Sequence, residues 1–117
     1  MRKTGKARWE AMDRQEVDLS TLIEIFETHN RTEGKSLRTV GWYNEVLNLL
    51  YCWLREEDLP TALATLDEMT IRRFILYLQE RPGLKGEKAS SHTVYNRVNA
   101  LKSFFGWLFD KGYTEEH

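Results

Sequence analysis

The sequence predicts an all-α fold, a single bundle of four helices. Three observations predict it. Apolar residues recur at three- and four-residue spacing in four separate segments, and strand-like alternation of useful length is missing. Gly, Pro and Ser clusters punctuate the chain between those segments. Finally, 117 residues with 41% hydrophobic content suit one domain with a real core.

The elements follow in order. Residues 1–17, "MRKTGKARWEAMDRQEV", lack sustained periodicity and carry five bases against three acids. They read as a flexible basic arm, with at most a helical turn around Trp9–Met12. The bundle is expected over 18–117. Its first helix is "LSTLIEIFETHN", with Leu19, Leu22, Ile23 and Phe26 as the inward stripe. Asp18 or Ser20 is placed to cap it. "NRTEGK" ends it, with Gly34 as the break.

Ser36 caps a second helix, in which Tyr43, Leu47, Leu50 and Leu54 face inward, flanked by Val46 and Trp53. Arg38, Glu45 and Asn48 lie opposite. Gly41 sits inside this helix, at a cost of about 1 kcal/mol relative to alanine. It either tolerates that cost or lets something approach closely. A third helix, "TIRRFILYLQER", is expected with Thr70 as its cap and Ile71, Phe74, Ile75 and Leu78 inward. The last runs from Ser90 to Gly112. At ~100° per residue, Val94, Val98, Leu101, Phe105 and Leu108 share one arc. Gly112 suits the C′ position, where φ is positive.

Charge is nearly balanced, with a formal net of −1, which argues against a uniformly basic nucleic-acid binder. The distribution is uneven. Residues 18–80 hold eleven acids against six bases, whereas residues 81–105 hold five bases and Glu87 alone. One face can therefore be basic. The single cysteine, Cys52, cannot form an intramolecular disulfide; it reads as helix packing in a reduced, cytoplasmic setting. No signal peptide or membrane-length apolar run is recognisable. His29, His92 and His117 lack metal-ligand spacing with Cys52. No phosphate-cradling loop, nucleophile elbow or carboxylate pair is present, and Glu56–Glu57–Asp58 reads as a solvated helix end. Neither a cofactor nor a metal is expected.

Two helix starts suit an anionic partner. Lys35, Ser36, Arg38 and Thr39 sit at the second helix N-terminus, where free N–H groups favour phosphate. The last helix presents His92, Asn96, Asn99 and Ser103 opposite its apolar arc, with Thr93 and Arg97 on one flank and Lys102 on the other. No acid falls between Lys88 and Asp110. Asn can pair with adenine, and Arg with guanine or phosphate. The plain alternatives are ordinary capping and an ordinary polar face.

In this order the segments resemble the N-terminal core-binding, SAM-like domain of tyrosine recombinases, the phage-integrase family. The matching residues are "LSTLIEIFETH", then Ser36-x-x-Thr39-x-x-x-Tyr43-x-x-x-Leu47, then "LDEMTIRRFILYLQER", then "SSHTVYNRVNALKSFFGWLFDKGYTEEH". The resemblance covers about residues 18–117. It departs at Val98-Asn99, where the family usually has Leu-Ser, and at Lys102, where it commonly has Arg. It implies a compact four- to five-helix orthogonal bundle that contacts double-stranded DNA through its second and fourth helices, at Lys35, Ser36, Arg38, Thr39, His92, Thr93, Asn96, Arg97 and Lys102. It also implies that the chain is a non-catalytic fragment. The C-terminal catalytic domain of the same parent chain would supply the tyrosine nucleophile, and a homo-oligomer would assemble on DNA. The other reading is a helical protein-interaction module without DNA contact, docking through an exposed Trp42 or Trp107.

Overall fold

The computed structural model describes residues 17–81, 88 and 90–114. Apart from Val17, the arm expected over 1–17 lies outside the described residues, as do Pro82–Glu87 of the expected loop and the end of the chain. Among the described residues the fold is a helical bundle without strands. Its helices are α1 (Leu19–Thr32), α2 (Leu37–Glu56), α3 (Glu68–Glu80) and α4 (Ser91–Asp110), with a 3₁₀ turn at Leu63–Thr65. Helix α2 packs on α1 and on α4, and α3 packs on α4.

Each helix start is capped by a short polar side chain that takes up a free backbone N–H. Asp18 caps α1 and accepts from the Ser20 amide at 3.1 Å. It also accepts from the hydroxyls of Ser20 and Thr61. Beside it, Leu19 N–H donates to the Thr61 carbonyl and Leu63 N–H to the Val17 carbonyl, each at 2.9 Å. These bonds tie the start of α1 to the 3₁₀ turn, and Val17 is buried beside them.

Ser36 and Ser90 cap α2 and α4 identically. Each accepts the amide of the threonine three residues on, at 3.1 Å, and pairs with that threonine's hydroxyl at 3.0 Å. For α3 the expected cap, Thr70, is not the cap. Asp67 takes that place and accepts from the Thr70 amide at 2.7 Å, which starts the helix at Glu68. A carboxylate placed three residues ahead of an N–H competes better for it than a hydroxyl inside the first turn.

Three helices end alike. After α1, Gly34 has φ 80°, and Lys35 N–H reaches back to the Asn30 carbonyl at 3.1 Å. After α4, Gly112 has φ 79°, and Tyr113 N–H reaches the Leu108 carbonyl at 2.8 Å. These are Schellman closures, with glycine in the left-handed region where a Cβ would be strained. After α2 the same closure is made by Asp58, with φ 54°, and Leu59 N–H reaches the Leu54 carbonyl at 2.8 Å.

The inward stripes of α1, α2 and α3 lie where the spacing puts them. Leu19, Leu22, Ile23 and Phe26 are buried, as are Val46, Leu47, Leu50, Trp53 and Leu54, and Phe74 and Leu78. Tyr43, Ile71 and Ile75 are half-buried against that core. Cys52, expected in the packing, is exposed instead. It falls on the far side of α2 from Leu50 and Leu54, and neither α1 nor α4 covers that side.

Helix α4 is rotated from its expected setting. Ala100, Phe104 and Trp107 are buried with Val94, Leu101 and Leu108, while Val98 and Phe105 are half-buried. The buried arc is turned by roughly a quarter turn, at ~100° per residue. The cause lies on α1. Phe26 meets Phe104 edge-on at 5.2 Å between ring centroids and Trp107 at 5.1 Å, and His29 packs against Trp107 at 5.7 Å. These aromatic contacts draw the wider rings of α4 inward. Trp107 is 9% exposed and therefore cannot act as an exposed docking anchor.

Candidate nucleic-acid interface

Helix α2 carries Arg38, Gly41 and Glu45 at i, i+3, i+7 spacing, so the three share one stripe. Helix α4 carries Asn96, Asn99 and Ser103 at the same spacing. Packing of α2 against α4 brings the two stripes to face one groove of about 680 Å³, which Thr39, Trp42, Tyr43 and Ala100 also line. Trp42 is half-buried there.

The predicted residues divide. Arg38, Thr39 and Asn96 come together in the groove. Lys35 and Ser36 lie immediately ahead of α2 and are exposed. The Ser36 hydroxyl is committed to the cap, as is the Ser90–Thr93 pair at the start of α4. His92 is exposed one turn before Asn96, and His92 Nε2 and Asn96 Nδ2 lie 3.3 Å apart. Lys102 is exposed but lies roughly 120° round α4 from Asn96, on another side of the helix. Arg97, expected on the outward flank, is half-buried, and its Nε is buried without a hydrogen-bond partner. The rotation of α4 accounts for this, because it carries Arg97 toward the side that Phe104 and Leu101 bury.

Gly41, Trp42, Tyr43, Glu45, Asn99, Ala100 and Ser103 line the groove as well and lie outside the expected set. For Gly41, Glu45, Asn99 and Ser103 the signal is the repeated i, i+3, i+7 spacing on two helices, which forms one groove only because those helices are neighbours.

Among the described residues, ion pairs are confined to Arg72–Glu68 at 2.9 Å and Arg73–Glu57 at 4.0 Å. Lys35, Arg38, Glu45 and Lys102 thus form no ion pair among the described residues. Arg31, Lys35 and Arg38 are exposed around the turn from α1 into α2, with Glu33 between them. No group of His, Cys, Asp or Glu among the described residues is arranged to hold a metal. No described helix is long and apolar enough to cross a membrane.

Gly41 is exposed, and a Cβ built on it would meet nothing within 4 Å. Its helix cost is thus not recovered by close packing inside the described fold. Gly41→Ala is expected to raise the unfolding free energy by about 1 kcal/mol, visible as a higher thermal midpoint.

The family model for the phage integrase SAM-like domain matches residues 21–117, spanning all four helices. The chain belongs to that family. A search of curated proteins and one of solved structures each return no match. A SAM-like domain is the non-catalytic N-terminal part of an integrase.

Proposed function

We propose that this SAM-like domain binds duplex DNA through α2 and α4 and positions a tyrosine recombinase on its attachment site. The cutting chemistry belongs to a catalytic domain of the same parent chain, and assembly of several copies on DNA is part of this reading. The observation that carries it is the convergence of Arg38, Thr39 and Asn96 from two helices onto one groove. Lys35 and Arg38, which form no ion pair among the described residues, supply the electrostatic part. Most affinity then comes from phosphates, so binding is weak and falls steeply with salt.

An NMR titration of the full chain with a short duplex, at low and moderate salt, tests this. Shifts are expected around Lys35–Thr39 and His92–Ser103. Shifts confined to α1, or none at low salt, would sink the proposal. Arg38→Ala is expected to weaken binding several-fold and to lower the slope of log K against log salt by about one, the signature of one lost phosphate contact. Trp42 in the groove keeps a protein-docking reading in view. On that reading Trp42 shifts with a protein partner while duplex DNA leaves the groove unmoved.

A further inference from the structure

The charge of the groove does not match a simple phosphate cradle. Its stripes carry one cation, Arg38, and one anion, Glu45, along with Asn96, Asn99 and Ser103. Glu45 is exposed and lies in no ion pair among the described residues. A carboxylate so placed repels a phosphate and offers only acceptors. The groups on duplex DNA that satisfy an acceptor are the exocyclic amines of bases, and in the major groove a carboxylate suits the cytosine N4 amine.

Gly41 is the second observation. It lies between Arg38 and Glu45 on the same stripe, exposed, with open space where a Cβ would go. The helix is bare there, so a flat base edge can approach the α2 wall more closely than a side chain would allow. The two amides across the groove offer both donors and acceptors, as a base edge requires.

We infer that the α2–α4 groove reads base edges rather than phosphate, and that Glu45 is a specificity-determining residue selecting cytosine of a C·G pair. This rests on the DNA-binding reading above. Arg38, at the mouth of α2, supplies the phosphate contact that fixes register, and the wall from Gly41 to Glu45 does the reading.

The test is selection of duplexes from a pool with a randomised core, using the full chain and its Glu45→Gln and Glu45→Asp variants. The wild-type motif is expected to hold a position restricted to C·G. Glu45→Gln should lose about tenfold of the preference at that position and leave the others intact. The salt slope should not change, because no phosphate contact is lost. Glu45→Asp keeps the charge but shortens the reach, and should lose the same preference. An unchanged motif in both variants overturns the inference and leaves DNA binding standing. So does a uniform gain in affinity for all duplexes with Glu45→Gln, which would make Glu45 a mere repulsive charge. A wild-type motif without a C·G-restricted position overturns it as well. Failure of the wild type to bind any duplex at low salt overturns the DNA reading and this inference together. Matching circular dichroism spectra of the three proteins establish that the exposed substitutions leave the fold intact.

Discussion

Phe104→Ala is expected to destabilise the bundle by about 3–5 kcal/mol, measured as a fall in the urea midpoint at unchanged slope. Phe104 is fully buried and stands where α4 meets the C-terminal half of α1. Its ring lies 5.2 Å from Phe26, 5.3 Å from Phe105 and 6.2 Å from Trp107 between centroids. Removing it takes away the transfer energy of the ring and leaves a cavity that neighbouring rings on three sides cannot easily fill. The loss is a large share of the roughly 5–15 kcal/mol that holds a domain folded. Phe105 provides the contrast. It is half-buried, so Phe105→Ala is expected to cost about half as much or less, in keeping with the smaller apolar area it removes from water. If Phe105→Ala proved the costlier change, α4 would have the rotation that its periodicity alone implies, and the packing described above would be wrong.

Asp18→Ala is the second large effect, expected at about 2–3 kcal/mol. The substitution removes the cap of α1, worth about 1 kcal/mol, and strips acceptors from the part-buried hydroxyls of Ser20 and Thr61. The same side chain gives a pH dependence. Burial opposes its ionisation, but hydrogen bonds from the Ser20 hydroxyl, the Thr61 hydroxyl, the Ser20 amide and Tyr51 outweigh it. Together they hold the carboxyl below the usual aspartate range. The folded state thus binds this proton less readily than the unfolded chain does. The contribution is fully present above the ordinary aspartate pKa, about 3.9, and is lost as pH falls through the lower folded value. Asp67, lowered chiefly by the Thr70 amide, acts with the same sign at the exposed start of α3. Asp18→Asn keeps a capping oxygen and removes the charge. The difference in urea midpoint between wild type and Asp18→Asn should therefore shrink as pH is lowered from 7 to 3. A difference that stays constant over that range would show that the charge of Asp18 contributes nothing.

Much of this fold is legible in the residues alone, and the reason is local. A helix is written in short-range spacing, and its ends in the few side chains that satisfy free N–H and C=O groups. The stripes of α1, α2 and α3 follow from Leu19 to Phe26, Leu47 to Leu54, and Phe74 to Leu78. Ser36 as a cap and Gly112 as a C′ residue follow in the same way. The ordered set of helices also carries the family, because the SAM-like match spans the same segments.

The tertiary structure decided whatever depends on neighbours. Helix α4 has apolar residues over a wide arc, including Val94, Val98, Leu101, Phe104, Phe105, Trp107 and Leu108. Periodicity accommodates more than one rotation of such a helix. The rings of Phe26 and His29 on α1 select the one that buries Phe104 and Trp107 and draws Arg97 partly inward. Cys52 is apolar enough to pack, yet among the described residues no helix covers its side of α2. The groove follows the same rule. Arg38, Gly41 and Glu45 are one stripe, and Asn96, Asn99 and Ser103 another, and sequence spacing shows each separately. Only the packing of α2 against α4 makes them two walls of one groove, since contact between helices is set by shape and buried area, not by distance along the chain.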